Sequence, residues 1–380
     1  MEPTSFQGSA SSKEKKTICL TGGGTAGHVT PHFALLPAIK QQGWEIVYMG
    51  SSGLEKALVA EQKIPFFEIS AGKLRRYLSW QNVTDIFRIV AGFFEAYRYL
   101  GKIKPHLIFS KGGFVAVPVA LAGWMRGIPV ISHESDVSPG LANRLIAVLA
   151  QKIMFSFPET AAHIKMKKGL WVGAPVRQDL FSGDKQRALT LCGFDRLPDA
   201  LSVPTLLVMG GSQGALRINQ ALRDILPTLV ETMQVIHLTG KGKGLDWQHP
   251  RYAAFDFVTS ELKDLLALAT HVVSRAGSNS IFELLALGKP MLLIPLELGS
   301  RGDQILNARS FESKGWAHTL RDKDLSGASL LKAVFSLLDE GPLIVQRQKS
   351  GHPSATADLI VQVLGQTMGE NPLSSLPPHA

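Results

Sequence analysis

Cysteine is nearly absent from this sequence: the 380 residues include two, Cys19 and Cys192, which lie far apart along the chain. Neither belongs to a CxxC pair or to a cluster of cysteine and histidine. A disulfide framework and a structural zinc site are therefore not indicated, and the composition fits a reducing cytoplasm.

Long apolar runs are also missing. The longest, residues 114–125, is interrupted by Pro118 and Gly123 and is well short of the roughly 20 residues that cross a bilayer. Residues 1–16 are polar, and the strand-like residues 17–20 that follow are too few for the apolar core of a signal peptide. We expect neither a membrane span nor export.

Two nucleotide-binding motifs are absent or incomplete. No GxxxxGK[ST] segment occurs, which excludes a P-loop NTPase. The glycine-rich residues 22–28 admit a GxGxxG reading, but residues 48–50, where the next strand should end, are YMG and include no acidic residue. Ribose recognition as in NAD-dependent oxidoreductases is therefore disfavoured.

The composition that is present suits two domains. The chain has about two to three times the length of a usual domain, 45% of its residues are hydrophobic, and only 19% are charged. The formal net charge of +9 favours an anionic partner, which could be nucleic acid, an acidic membrane surface or a phosphorylated substrate. Composition does not choose among these three.

Each half of the chain begins with a strand, a glycine-rich loop, a helix and a second strand. These segments are residues 17–20, 22–28, 31–42 and 45–49 in the first half and 205–209, 210–215, 218–231 and 234–238 in the second. A further repeat relates residues 107–113 to 271–277, a strand with a polar, glycine-containing turn. Strands that alternate with helices predict an α/β fold with two parallel sheets and ligands at the strands' carboxyl ends. We expect the domain boundary near residues 173–177.

The glycine-rich turns are candidate phosphate sites, because their backbone N–H groups and the following helix N-terminus favour anions. Tight turn geometry explains any single loop equally well, but four loops at corresponding strand ends favour phosphate. His28 lies where the first loop meets its helix. It could act as a general base or bind an anion, or it could cap or pack the helix.

Residues 278–283 carry the sharpest signal. Ser278, Asn279 and Ser280 stand at a predicted helix start, with Glu283 about one turn inside. A carboxylate there can accept both hydroxyls of a ribose while the helix N-terminus holds a diphosphate, which predicts a nucleoside diphosphate ligand. A capping arrangement of Ser and Glu is the alternative.

Two other segments allow two interpretations each. Residues 133–136, HESD, end a strand and could supply an acid/base pair or only turn chemistry. Residues 74–80 and 87–94 mix aromatic residues with arginine, and Trp124 and Arg126 end an apolar helix. This mixture suits the interface of an anionic membrane, and core aromatics beside solvated arginines would look similar.

Together these motifs resemble those of the MurG family, peripheral membrane glycosyltransferases that move N-acetylglucosamine from UDP-N-acetylglucosamine to lipid I and so make lipid II for peptidoglycan. The similarity extends from about residue 17 to 365, and its stretches are residues 22–28 (GGGTAGH), 110–114 (SKGGF), 133–134 (HE), 173–177 (GAPVR), 210–215 (GGSQGA), 274–283 (SRAGSNSIFE), 303–304 (DQ) and 307–308 (NA).

The resemblance implies a GT-B fold, in which two Rossmann-like domains face each other across a cleft. We expect an acceptor and membrane domain at residues 15–175, joined by a returning helix at about 350–365, and a UDP-sugar domain at residues 176–349. Residues 1–14 are expected to be disordered and residues 366–380 to form a mobile tail.

The resemblance also assigns roles, residue by residue. It implies substrate contacts at Thr25, Ala26, Gly27, Asp136, Arg177, Ser212, Gln213, Phe257, Val258, Ser278, Asn279, Ser280, Ile281, Phe282, Glu283 and Gln304. It implies acceptor-diphosphate loops at Gly24, Lys111, Gly112 and Gly113. The residues expected at the membrane are Leu74, Arg75, Arg76, Leu78, Trp80, Trp124 and Arg126.

Two positions depart from the family pattern. Ala26 replaces a glycine where the backbone approaches phosphate, and residues 133–136 read HESD where the family has His-Glu-Gln-Asn. The second change places a carboxylate at Asp136 that cannot donate as an amide does.

The expected reaction is an inverting displacement without a metal or other cofactor. His28 is the leading catalytic base, with Glu134 or Asp136 next. The expected partners are UDP-N-acetylglucosamine, lipid I and the anionic leaflet on the cytoplasmic side of the inner membrane, with cell-wall and division proteins as further candidates and no nucleic acid. The alternatives are a glycolipid synthase with another lipid acceptor and a non-catalytic sugar-nucleotide-binding scaffold.

Overall fold

The computed structural model describes residues 15–72, 80–164, 168–211, 214–297, 301–351 and 356–369. Within these residues the strands form two parallel sheets. The first sheet contains β1 (Thr17–Thr21), β2 (Glu45–Gly50), β3 (Phe66–Glu68), β4 (Leu107–Ser110), β5 (Val130–Glu134), β6 (Lys152–Phe155) and β7 (Gly169–Trp171). The second contains β8 (Thr205–Met209), β9 (Gln234–Leu238), β10 (Tyr252–Phe255), β11 (His271–Ser274), β12 (Met291–Leu293) and β13 (His318–Thr319).

α-Helices connect most successive strands and cover both faces of each sheet. They are α1 (Thr30–Phe33), α2 (Leu36–Gln41), α3 (Leu54–Glu61), α4 (Trp80–Ile103), α5 (Ala116–Met125), α6 (Leu141–Leu149), α7 (Lys185–Cys192), α8 (Leu216–Thr232), α9 (Leu262–Leu268), α10 (Ser278–Ala286), α11 (Asp303–Ser313), α12 (Gly327–Gly351) and α13 (Thr356–Thr367).

The two sheets share one topology. The first has the order β3-β2-β1-β4-β5-β6-β7 and the second the order β10-β9-β8-β11-β12-β13. In each, the strand order reverses beside the first strand, where open α/β sheets leave a crevice at the carboxyl ends. The prediction of an α/β fold with two Rossmann-like sheets is confirmed.

The central strands are mostly apolar because both of their faces are buried. In β1, Ile18 and Leu20 point into one core and Cys19 into the core on the opposite face. In β8, Leu207 and Leu206 likewise point to opposite sides of the sheet. Alternation of side chains along a strand explains this division, and helices on both faces explain why no polar stripe is needed.

The single helix predicted for residues 31–42 is wrong in detail. The structure has two short helices there, α1 and α2, separated by Ala34 and Leu35. Pro37 lies in the first turn of α2, and a proline has no N–H to continue the preceding helix. The chain therefore starts a new helix at this point.

Helix α13 leaves the second sheet and packs on the first. Its residues Ile360, Val361 and Leu364 are buried in the core that also contains Leu36 and Ile39 of α2. The helix continues to residue 367, past residue 366 where the mobile tail was expected to begin. The division of the chain into domains at the predicted boundaries stays a prediction.

No helix in the part of the chain that the structure describes combines the length and apolar character needed to cross a membrane.

Candidate active site between the two sheets

A cleft of about 1210 Å³ lies between the carboxyl ends of the two sheets. It brings together residues that are up to 281 positions apart in the chain, from Gly23 to Gln304. Of the predicted site residues, the cleft is lined by Gly24, Thr25, Ala26, Gly27, His28, Gly113, Glu134, Asp136, Arg177, Phe257, Val258, Ser278, Asn279, Ser280, Glu283 and Gln304.

Other predicted residues lie elsewhere. Ile281 and Phe282 do not line the cleft, because their side chains are buried in the core of the second sheet. Phe282 packs edge-on against Phe157 and Phe311 there. Their predicted role as substrate contacts is therefore wrong for their side chains. Ser212 and Gln213, and Leu74, Arg75, Arg76 and Leu78, lie outside the described residues, as does the side chain of Trp80.

The two glycine loops of the first sheet touch each other. Gly113 has a φ of +81°, and a Cβ built there would lie 2.2 Å from the carbonyl oxygen of Gly23. A Cβ at Gly22 would lie 2.4 Å from the carbonyl oxygen of His28. A side chain at Gly113 would push the two loops apart, and one at Gly22 would distort the first loop, so glycine is required at both positions by close approach.

Ala26, the departure in the first loop, causes no backbone strain. It begins a turn of 3₁₀-helix, Ala26–His28, and it is not among the described residues other than glycine that have a positive φ. Its methyl group lines the cleft. The residue fits this position because the conformation is ordinary, unlike that of the neighbouring Gly24, whose φ is +86°.

His28 is oriented as a base. Its Nδ1 lies 2.9 Å from the carbonyl oxygen of Lys111, and since a carbonyl only accepts, Nδ1 must carry the proton. The neutral ring then has its lone pair on Nε2. Burial lowers the pKa of His28 below its usual value, although the hydrogen bond to Lys111 opposes this shift. The imidazole is therefore neutral at pH 7 and can accept a proton.

Lys111 and Gly112 support this wall from behind and do not line the cleft. The Nζ of Lys111 donates to Nδ1 of His133 over 2.6 Å and to Oγ of Ser135 over 2.8 Å. Burial lowers the pKa of Lys111 to about 7. The Lys111 side chain is fully buried, so it braces its loop from within, and the assignment of this loop to the acceptor diphosphate stays a prediction.

Glu134 is engaged in holding a turn. Its carboxylate accepts hydrogen bonds from the N–H of Asp136 at 2.9 Å, the N–H of Gly140 at 3.2 Å and Nδ2 of Asn143 at 2.7 Å. Burial raises its pKa, but its oxygens are already occupied. The geometry therefore does not support Glu134 as the alternative base and assigns it to the turn at residues 134–140.

Asp136 links the two sheets. Its Oδ1 accepts from Nδ2 of Asn307 at 2.9 Å, and its Oδ2 lies 3.8 Å from Nη2 of Arg301. Asn307 is fully buried and also accepts from the N–H of Val137. Asp136 therefore bridges the two sheets through Oδ1, and its role as a candidate base stays a prediction.

The start of α10 forms the opposite wall. Gly277 caps the helix in an extended conformation, and the hydroxyls and amides of residues 278–280 face the cleft. Nδ2 of Asn279 donates to the carbonyl oxygen of Gly27 across the cleft at 3.1 Å. The helix N-terminus therefore points at the first glycine loop, where it favours an anionic ligand.

Glu283 and Arg177 form an ion pair in the cleft, with Nε of Arg177 3.1 Å from Oε1 of Glu283. Burial raises the pKa of Glu283, and the charge of Arg177 opposes that shift. Both side chains retain partial exposure, so a ligand can reach them.

Phe257, Val258 and Gln304 complete the second wall. Phe257 leaves 62% of its surface exposed, which is unusual for a phenylalanine and gives a ring on which a base can stack. The Oε1 of Gln304 accepts from the N–H of Leu296 at 2.9 Å, which fixes the amide at the cleft wall.

Among the cleft residues that sequence reasoning missed, two bear charge and shape the site, Glu55 and Arg301. The buried Glu55 accepts hydrogen bonds from the N–H groups of Ser51 and Gly24, at 3.1 and 3.4 Å, and so fixes the base of the first loop. Its place in the first turn of the helix after β2 was the available signal. Arg301 had no such signal, since its position depends on contacts with the first sheet.

Comparison with known proteins agrees with this geometry. Residues 18–155 match the N-terminal domain of glycosyltransferase family 28, and residues 205–363 match its C-terminal domain. Two similar proteins, from Lachnoclostridium phytofermentans and Geobacillus thermodenitrificans, are 47% and 49% identical. The alignments cover 92% and 86% of this chain and 98% and 91% of theirs. Both are named UDP-N-acetylglucosamine--N-acetylmuramyl-(pentapeptide) pyrophosphoryl-undecaprenol N-acetylglucosamine transferase.

A solved structure shares the fold. The crystal structure of MurG from Acinetobacter baumannii superposes with a TM-score of 0.70 at 23% identity and covers 91% of this chain and 99% of its own. With both family domains matched in order and close relatives over most of its length, the chain belongs to glycosyltransferase family 28, in its MurG group, and is a glycosyltransferase with the GT-B fold.

Proposed function

We propose that this enzyme transfers N-acetylglucosamine from UDP-N-acetylglucosamine to N-acetylmuramyl-(pentapeptide) pyrophosphoryl-undecaprenol, lipid I, and so produces lipid II. One observation carries the proposal. His28, which is neutral and has Nε2 available, lies on one wall of the cleft, and the N-terminus of α10 lies on the opposite wall. The names of the related proteins support the choice of both substrates.

The donor occupies the second wall. The N-terminus of α10 and Arg177 hold the UDP diphosphate, and their positive charge stabilises it as the leaving group. Glu283 accepts the ribose hydroxyls, Phe257 and Val258 flank the uracil, and Gln304 contacts the sugar hydroxyls. Ser212 stays a predicted ligand of the diphosphate side, and Gln213 stays a predicted substrate contact.

The acceptor occupies the first wall, with its diphosphate against the glycine loops that contain Gly24 and Gly113. Nε2 of His28 removes the proton from the muramyl hydroxyl as that oxygen attacks the anomeric carbon of N-acetylglucosamine. The bond to UDP breaks on the opposite face, so the anomeric configuration inverts. The transition state is oxocarbenium-like.

The first domain binds the anionic cytoplasmic leaflet. Phe87, Val90 and Phe94 leave 71%, 48% and 63% of their surfaces exposed at i, i+3 and i+7 on α4, and Trp124 leaves 55% exposed on the adjacent α5. This apolar stripe beside arginines suits a membrane interface. The Cζ of Arg126 instead lies 3.8 Å from the centroid of the Tyr97 ring, so this side chain packs against α4 beside the exposed patch.

The test of this proposal is radiolabel transfer from UDP-N-acetylglucosamine to a soluble lipid I analogue. A labelled disaccharide product is expected. Turnover of diacylglycerol in place of the analogue would indicate a glycolipid synthase, and UDP binding without transfer to either acceptor would indicate a scaffold; both results contradict the proposal. Flotation with liposomes tests the membrane face separately. The triple variant F87S/V90S/F94S should lose binding to anionic lipid.

A further inference from the structure

Arg301 stands in the cleft without a role in the mechanism above. It precedes α11 in the second sheet's half of the chain, yet its guanidinium reaches the first domain. It is one of two arginines among the described cleft-lining residues, the other being Arg177. Since 37% of its side chain is exposed, a ligand can reach the guanidinium.

Arg301 lies between Asp303 at the start of α11, whose Oδ2 is 3.8 Å from Nη2, and a turn of the first domain. Its Nη2 lies 3.8 Å from Oδ2 of Asp136. Its Nη1 lies against Gly140, where a built Cβ would come within 2.6 Å. The guanidinium therefore rests on the turn at residues 134–140, and Gly140 leaves the space that it fills.

Asp136 is itself fixed from several sides. Its N–H donates to Glu134, and its Oδ1 accepts from the buried Asn307 at 2.9 Å. Only Oδ2 is left to face Arg301. Oδ2 lies 3.8 Å from Nη2 of Arg301, an ion-pair distance. Asp136, where the MurG family pattern has asparagine, therefore adds a negative charge beside Arg301.

We propose that Arg301 binds the diphosphate of the acceptor and that Asp136 is a positioning residue that holds Arg301 across the cleft. The inference rests on the proposed function, because it takes the acceptor to be a pyrophosphoryl lipid. A guanidinium matches phosphate oxygens with parallel hydrogen bonds, which makes arginine a suitable ligand.

The position of Arg301 favours the acceptor over the donor. Both substrates carry a diphosphate, and the second wall already has Arg177 beside Glu283 for UDP. The guanidinium of Arg301 lies next to Asp136 and Gly140 of the first wall, which is the side of the glycine loops. The positive charge of Arg301 also acts on His28, the group that must meet the acceptor hydroxyl.

The experiment measures binding as well as turnover. Affinity for a fluorescent lipid I analogue with a short prenyl chain, and for UDP by calorimetry, is compared in wild type, R301Q, R301K, D136N and the double variant D136N/R301Q. Muramyl pentapeptide without the diphosphate serves as the control ligand, and thermal melting checks that each variant folds.

We expect R301Q to weaken binding of the analogue on the order of tenfold to a hundredfold, the usual effect of losing a charge-assisted hydrogen bond. UDP affinity should stay within about twofold, and so should affinity for the control ligand. R301K should recover part of the loss. D136N should cause a smaller loss, and the double variant should be no weaker than R301Q, because both changes remove one interaction.

Three results would overturn the inference: unchanged binding of the analogue by R301Q, a loss of UDP affinity instead, or losses in D136N and R301Q that multiply in the double variant. Failure of the proposed function gives a different pattern. If the wild type binds the analogue without transferring sugar, the proposed function fails, and the effect of R301Q on binding still decides the role of Arg301. If the wild type does not bind the analogue at all, both the proposed function and this inference are overturned.

Discussion

The two walls of the cleft come from sheets of the same topology but are built from different groups. The first wall consists mainly of backbone, with Gly113 packed on Gly23, the first glycine loop fixed from beneath by the buried carboxylate of Glu55, and the turn at residues 134–140 held by that of Glu134. The second wall consists mainly of side chains, among them Asn279 and Glu283 at the start of α10. One wall is tightly packed, and the other is open to ligands.

This difference shows how one fold serves two tasks. Backbone amides in a packed loop form a preorganised cradle and hold a base such as His28 in a single orientation. Hydroxyl, amide and carboxylate side chains recognise the individual groups of a nucleotide. We therefore expect changes in the first wall to affect catalysis or folding and changes in the second to affect donor affinity.

Replacement of the base should have the largest effect. His28→Gln keeps an amide for hydrogen bonding but has no basic nitrogen, so kcat should fall by about 10² to 10⁴, the usual contribution of a general base. UDP affinity should not change. The exposed His163 provides the control variant His163→Gln. Full kcat in His28→Gln at saturating substrates would remove His28 from the role.

Replacing a glycine by serine should lower the free energy of unfolding more in the first wall than in the second. Gly113→Ser places a Cβ against the carbonyl of Gly23 at a φ of +81°, and we expect a loss of about 2 kcal/mol or more in the free energy of unfolding. Gly277→Ser, with φ −69° and open space around its Cβ, should stay within about 0.5 kcal/mol. Denaturant unfolding measures both. Equal losses would contradict the contrast in packing.

Glu283→Gln tests the second wall. It removes the charge that pairs with Arg177 and the acceptor proposed for ribose, so UDP affinity should fall about tenfold to a hundredfold. Calorimetry measures this effect, with the exposed Glu231→Gln as the control. A fall in kcat with unchanged UDP affinity would place Glu283 in the chemical step instead.

A change of pH near neutrality should have a smaller effect than any of these substitutions. Because burial lowers the pKa of His28 below that of an ordinary imidazole, about 6.5, kcat at pH 6.5 should remain above half of its value at pH 7.5. It should fall further as the pH passes through the lowered pKa and the base becomes protonated. Donor affinity should decline as the pH falls through the pKa of Glu283, which burial raises above its usual value. Loss of half the kcat at pH 6.5 would contradict a lowered pKa.

Much of the fold could be predicted because it follows from local patterns. Apolar strands, glycine turns and apolar helices repeat in both halves, and the predicted strands at residues 205–209 and 234–238 have the bounds seen in the structure. The exception at α1 and α2 arose from Pro37, whose effect on the helix was overlooked. Ile281 and Phe282 were misassigned because successive residues of a helix point in different directions, and only one face of α10 meets the cleft.

The amino-acid sequence by itself determined the class of fold, the duplication and the phosphate-binding chemistry at the strand ends, because each depends on neighbours within about a dozen residues. Only the tertiary structure decided which groups are free to act. Glu134 and Lys111 are occupied by buried hydrogen bonds, His28 is held in one tautomer by a carbonyl 83 positions away, and Arg301 is carried to the first domain. Such assignments depend on contacts between distant segments, which the order of residues does not display.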